Sequence, residues 1–253
     1  MPSLRRFSTT IGSDVGALLL FVGLWAALAL FFPPYLLPSP GTVLLEAPRY
    51  FQGEFAQHLA VTLYRTVIGF ALAFVAGGVL GIAAFRLRLT ETLNGFMASV
   101  QVLPGTIIGI IFLLLFGVGS ATPIALVALL TMPTVAINTA NALSKRNIAL
   151  EQYVLSAGGT WRHLARYLYL PALIPTTRSN LTLGMGLALK IVILGEFIGA
   201  QNGIGYLLNV ARVYFNMKEV FFYLLIILLV TAVFQVTQNT LFKAFLGKYF
   251  HPD

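Results

Sequence analysis

Residues Gln152–Pro175 read QYVLSAGGTWRHLARYLYLPALIP. This is the only long polar and basic interruption in the C-terminal two-thirds of a very hydrophobic chain, and apolar segments flank it on both sides. The pattern predicts a short helix, a turn at Gly158-Gly159, a second amphipathic helix and a stop at Leu170-Pro171. In the second helix Trp161, Leu164, Ala165 and Leu168 recur at i, i+3, i+4 and i+7, forming one apolar face. Arg162 and Arg166 lie on another side. Gly158 permits dihedrals, or a close approach, that a side chain would block. Two readings follow from periodicity alone: a helix lying on the membrane with snorkelling arginines, or one that docks by its exposed side chains in a groove on a soluble partner.

Composition sets the surroundings of this stretch. Of 253 residues, 58% are hydrophobic and 9% charged, more apolar side chain than one soluble core absorbs. Continuous apolar runs near span length predict helices rather than a barrel, so the expected fold is an all-α polytopic membrane protein. The net charge of +8 fits loops facing anionic lipid; no basic helix interleaved with exposed aromatics points to nucleic acid. There is no cysteine, so neither disulfides nor a thiolate metal site can form. His58, His163 and His251 are scattered, so no metal site is expected, and no nucleophile–base constellation is readable. No phosphate-binding Gly-x-x-x-x-Gly-Lys-Ser/Thr motif occurs, so the chain is not expected to be an enzyme. Energy must come from another polypeptide or from an ion gradient.

Six spans are expected, at about 15–32, 63–85, 96–116, 123–143, 174–198 and 220–242, in one domain covering 1–253. Arg5 and Arg6 precede the first run without a small-residue cleavage site after it, so the run is expected to be retained. Pro33-Pro34 end it. Thr42–His58 reads as an interfacial helix. Gly77-x-x-x-Gly81 permits close helix approach, either within one subunit or between subunits. An N-terminus inside the cell places Arg5, Arg6, Arg86, Arg88, Lys145, Arg146, Arg162, Arg166, Arg178, Lys243 and Lys248 on the cytoplasmic side. Arg49, Arg65, Arg212 and Lys218 then fall outside. That bias puts both termini and the Gln152–Pro175 stretch in the cytoplasm.

Charges inside spans are costly and mark function or a structural pair. Lys190 and Glu196 stand in the fifth span, about 120° apart around the helix, and are not expected to pair with each other. Lys190 could contact an anion or serve a structural bridge. Glu196 could gate a pathway or accept from the backbone N–H groups of the adjacent glycine turn. Asn138, Asn141, Thr131 and Thr134 line the fourth span, while Gln101 and Thr106 flank Pro104 in the third. Each is read either as an interhelical hydrogen-bonding group or as lining of a polar path.

With these residues in place, the chain resembles the permeases of ABC importers. Gly158, Leu168 and Leu170-Pro171 fit the spacing of their Glu-Ala-Ala loop, the loop of the coupling helix, which lies between the fourth and fifth spans. Leu36-Leu37-Pro38-Ser39-Pro40, Phe116-Gly117, Ile137-Asn138-Thr139, Glu196 and Gly203-Ile204-Gly205-Tyr206 resemble, in order, motifs of the subfamily importing nitrate, sulfonates, taurine and bicarbonate. The loop's Glu-Ala-Ala falls on Gln152-Tyr153-Val154, with Glu151 one residue early. Either Glu151 substitutes for the missing acid, or its role is served otherwise. The resemblance implies the six-span fold of a type I importer and a cytoplasmic coupling helix within 152–175. It further implies a bacterial inner-membrane location, a path for a small anion, and pairing with a second copy of the chain. Partners would be two ATP-binding subunits carrying ATP and Mg, and an extracytoplasmic solute-binding protein. The chain itself would bind no cofactor. Docking would fall to Gly158, Gly159, Trp161, Arg162, Leu164, Ala165 and Leu168; the path or gate to Gln101, Thr106, Asn138, Asn141, Lys190 and Glu196. The same architecture could instead import a thiamine-pyrimidine precursor or riboflavin. An ion-gradient-driven transporter and a non-transporting scaffold are the rivals from other classes.

Overall fold

The computed structural model describes residues 20–246, and every regular element among them is helical. In chain order they are α1 (Leu20–Ala29), α2 (Pro40–Tyr50), α3 (Phe55–Arg86), α4 (Thr90–Val102), α5 (Gly105–Phe116) and α6 (Ala121–Ser144). Then follow α7 (Ile148–Ser156), α8 (Trp161–Leu164), a π-helical turn (Ala165–Tyr169), α9 (Leu170–Gly199), α10 (Ile204–Val213) and α11 (Met217–Leu246). The expected first span lies partly outside the described residues, as do Arg5, Arg6, Lys248 and His251.

Four helical runs are long and apolar enough to cross a membrane: Phe55–Arg86, Ala121–Ser144, Trp161–Gly199 and Met217–Gln238. The expected third span, 96–116, is not one rod. It is the pair α4 and α5, bent by 85°. Pro104 causes the bend: Leu103, forced out of the helical region by the following ring, is extended at φ −65 and ψ 128. The helix that holds the expected second span begins before residue 63, at Phe55, and so takes in residues read as interfacial. Likewise the helix entering the fifth span does not stop at Leu170-Pro171. It runs unbroken from Trp161 to Gly199. The π turn resets the hydrogen-bond register just before Pro171, which then occupies the first turn of α9, where a missing N–H is tolerated.

Packing separates two compact units. Of the described residues, the first comprises 20–56 together with Leu207–Ile227. Ser39 caps α2 by accepting from the Thr42 N–H, Pro40 supplies its first turn, and Trp25 donates to the Pro38 carbonyl at 3.0 Å. Trp25 stacks on Phe221, and Phe51, Phe55 and Phe222 meet edge-on or tilted. Lys218 donates to Glu46 at 2.5 Å; that bond and the Tyr50 hydroxyl outweigh partial desolvation and hold the Glu46 carboxyl below its usual range.

The second unit comprises Gln57–Tyr206 and the described residues 228–246. Its core gathers Phe70 of α3, Leu126 and Val127 of α6, and Met185, Ala188, Ile191 and Val192 of α9. A β-carbon on Gly77 would lie 2.7 Å from the Met132 carbonyl oxygen, and one on Gly81 2.7 Å from that of Ala136. The Gly77-x-x-x-Gly81 pattern is therefore spent on packing α3 against α6 within the subunit.

Candidate functional site

Three groups of polar residues stand out in the second unit, and the first is the coupling segment. Asn147 caps α7 by accepting from the Leu150 N–H. The helix ends in a pair of C-terminal bonds, Gly158 N–H to Leu155 carbonyl at 3.0 Å and Gly159 N–H to Val154 carbonyl at 2.8 Å. Gly158 sits between them at φ +80, where glycine alone is unstrained. Thr160 and His163 then form a reciprocal cap on α8. Leu164 and Leu168, expected on the docking face, are instead buried with Leu143 and Tyr169 and hold the segment onto its own subunit. Ala165 is half-buried. The exposed face carries Arg162, Arg166, Tyr167 and about half of Trp161, over which the Arg86 guanidinium stacks at 4.3 Å. Glu151 accepts from Arg146 Nε at 2.6 Å and from the Tyr169 hydroxyl at 2.8 Å, tying α7 to the π turn. Burial pushes its carboxyl up, but Arg146 and Tyr169 together more than offset this and hold it below the ordinary range. Gln152, in the register of the missing acid, is exposed.

The second group is a buried clasp. Glu196 and Arg65 are each 1% exposed. Arg65 Nη1 donates to Glu196 Oε1 at 2.9 Å and to the Asn202 carbonyl at 2.8 Å. Its Nε and Nη2 reach Ser120 Oγ, both at 3.0 Å, and Nη2 also meets Asn202 Oδ1. Glu196 Oε2 accepts from the Gly205 N–H at 3.0 Å and lies 2.9 Å from Thr62 Oγ1, which accepts the Ile204 N–H. His58 Nδ1 accepts from Gly203 N–H at 2.9 Å. A side chain at Gly203 would collide with the Glu196 carboxylate. Such a pair tolerates burial because its remaining donors and acceptors are matched. The clasp pins the glycine turn, the Ser120 turn and α3 together. Glu196 thus accepts from the turn's backbone, and its charge partner is Arg65 of α3. Its helix-mates His58, Thr62 and Arg65 recur at i, i+4 and i+7; that polar stripe was the available signal.

The third group is the outward face of α9 with its neighbours. Pro175, Ser179, Leu183 and Lys190 are exposed and fall within about 80° of arc. Lys190 makes no hydrogen bond or ion pair among the described residues. Gln101 and Thr106 are exposed on α4 and α5, and Gln101 donates to Thr134 Oγ1 at 3.1 Å. Asn138 donates to Asn180 at 2.7 Å, and Asn141 accepts from Asn94 at 2.8 Å. Asn138 and Asn141 also edge a cavity of about 350 Å³ with Lys145, Pro175 and Ser179. The six expected path residues therefore do not form one cluster: Glu196 is sealed in the clasp, 1% exposed, while Gln101, Thr106 and Lys190 are exposed.

Residues 69–247 match the family described as binding-protein-dependent transport system inner membrane component. The chain belongs to that family. The riboflavin transport system permease protein RibX of Chloroflexus aurantiacus is 31% identical to this permease, over 94% of this chain and 91% of the relative. The formylaminopyrimidine transport permease protein ThiX of Halalkalibacterium halodurans is also 31% identical, over 68% and 70%. The taurine transport system permease protein TauC of Escherichia coli is 24% identical, over 81% and 78%. In fold, the permease matches a chain of the inward-facing MetNI methionine ABC transporter, with a TM-score of 0.64 at 18% identity over 75% of this chain and 94% of that one. This permease is thus an all-helical, inner-membrane subunit of an ABC importer, of type I architecture, and ATP hydrolysis belongs to separate subunits of such systems.

Proposed function

We propose that two copies of this permease form the path for a small anion, with nitrate, sulfonate, taurine or bicarbonate as the substrate class. The observation that carries this reading is Lys190: an ammonium exposed on an apolar helical run, with no counter-charge among the described residues. A desolvated ammonium attracts a small anion strongly. Gln101 and Thr106 add exposed polar groups, and Asn138 and Asn141 edge a small cavity. Two ATP-binding subunits, carrying ATP and Mg, dock from the cytoplasm on the turn at Gly158-Gly159 and on Trp161 and Arg162. A solute-binding protein delivers substrate on the other side, near the turn that Glu196 closes. Both termini are cytoplasmic.

A second reading rests on the two relatives at 31% identity, whose names concern riboflavin and a formylaminopyrimidine. Uptake of labelled solutes into vesicles holding the permease, its ATP-binding subunits and its binding protein separates the two. Anion uptake that requires ATP and falls at least tenfold in Lys190→Gln is expected. Uptake of a flavin or pyrimidine indifferent to Lys190→Gln would favour the second reading. Uptake driven by an ion gradient without ATP would end both.

A further inference from the structure

A cavity of about 690 Å³ opens where α3 ends, α4 begins and α6 ends, beside the coupling segment. Arg86, Arg88, Thr90, Thr92 and Ser144 line it, and Glu91 is the only carboxylate in the lining. Arg146 also borders it but is already neutralised by Glu151. The Arg86 and Arg88 guanidinium groups have no acidic partner and donate no hydrogen bond among the described residues. With Glu91 counted against them, the lining keeps one uncompensated positive charge.

The backbone singles out Arg88. Helix α3 ends as α7 does, with Leu89 N–H on the Ala84 carbonyl at 2.8 Å and Arg88 N–H on that of Phe85 at 3.2 Å. In α7 the residue between such bonds is Gly158; in α3 it is Arg88, at φ 59. Glycine would fit there without strain, so the guanidinium is kept at a conformational cost. Around it Leu87 and Leu89 are 68% and 49% exposed. An apolar–cationic alternation at the end of a long apolar helix suits the boundary where acyl chains meet headgroups.

We propose that this cavity binds a phosphate group, supplied by an anionic phospholipid. Arg86 and Arg88 hold the phosphodiester, the three hydroxyls complete its hydrogen bonds, and the acyl chains lie against Leu87 and Leu89. One negative charge on the diester balances the one left in the lining. Since Arg86 also stacks on Trp161, an occupied site stiffens the coupling segment from its flank. The inference rests on the cytoplasmic placement of this end of the helices.

The test is native mass spectrometry of the full chain in neutral detergent, titrated with phosphatidylglycerol and with phosphatidylcholine of the same acyl chains. Retention of phosphatidylglycerol over phosphatidylcholine, weakened at least tenfold in Arg86→Gln and in Arg88→Gly, is the expected result. Arg88→Gly relieves the strained dihedral, so its melting temperature should hold or rise, which removes misfolding as an explanation. Equal retention of both lipids, or of phosphatidylglycerol by wild type and both variants, overturns the proposal. Displacement of the lipid by millimolar inorganic phosphate gives the site to a soluble phosphate and overturns the lipid assignment. Loss of the ATP-binding subunit from Arg88→Gly with no lipid preference gives it to an acidic side chain of that partner, and overturns the proposal too. Binding in micelles has no sidedness, so an error in the cytoplasmic placement shows only when single cysteines are labelled from either side.

Discussion

Arg65 and Glu196 stabilise the turns at Ser120 and Gly203 only as a pair. Removing one leaves a desolvated charge, which costs about 3–5 kcal/mol, whereas replacing both by apolar groups of similar volume is far milder. Arg65→Ala and Glu196→Ala should each lower the melting temperature of the micellar protein sharply, and Arg65→Met with Glu196→Leu should recover much of the loss. Additive losses in the double variant would show that the two side chains act separately. Glu151 gives a pH signature instead. Its folded pKa lies below the ordinary value of 4.5. Its contribution is therefore fully present above the unfolded pKa and is lost as pH falls through the lower folded one. Trp161 fluorescence should change on acidification below about pH 4.5 in wild type, and Glu151→Gln should already show the acid-form signal at pH 7. Identical pH profiles for the two proteins would remove Glu151 from any role in holding the segment. Glu196 was legible in the sequence because an acid in an apolar run cannot be idle. Arg65 was not, because two residues inside the expected span edge it counts as a flanking outside charge; α3 starts eight residues before that edge, which sets Arg65 among helix-mates on both sides.

The coupling segment shows what periodicity can and cannot tell. The apolar face of Trp161, Leu164, Ala165 and Leu168 was readable, and so was the turn at Gly158-Gly159. Periodicity does not say who covers a face, and here Leu143 and Tyr169 of the same subunit cover Leu164 and Leu168. Nor could proline alone show that the helix continues, since the π turn that accommodates Pro171 has no sequence signature. Two substitutions separate scaffold from docking. Leu164→Ala empties a buried site and should cost about 2–5 kcal/mol of stability. A β-carbon at Gly158 would meet nothing within 4 Å; Gly158→Trp costs about 1–2 kcal/mol for the left-handed dihedral and adds bulk at the turn. It should insert normally yet fail to co-purify with the ATP-binding subunit. Retention of that subunit by Gly158→Trp would move docking away from this turn.

The bent pair decides how many times the permease crosses the membrane. An 85° break at Pro104 is compatible with a broken span or with a re-entrant loop. The helix that follows gives a measure of the pair's reach. Ser144, the last residue of α6, lies 3.2 Å by its hydroxyl from Thr90, the first of α4. At the other end of α6, Ser120 and Thr122 bond Arg65 and the Gly117 carbonyl, and Gly119 N–H reaches the Gly199 carbonyl at the end of α9. The 24 residues of α6 cover about 36 Å. A chain that leaves Thr90 and returns to it along α6 must first travel that distance outward. Helices of 13 and 12 residues meeting at 85° reach about 28 Å end to end, and the flanking turns supply the remainder. The pair therefore covers the same distance as α6, the reach that a span with an elbow needs. Because the chain has no cysteine, Leu87→Cys and Val118→Cys each place one thiol at an exposed position on either side of the pair. A membrane-impermeant maleimide should label Val118→Cys in intact cells and Leu87→Cys only after the cytoplasmic face is opened. Labelling of both from one face would make α4 and α5 re-entrant, and would place Lys145 and Arg146 on the side opposite to Arg86 and Arg88.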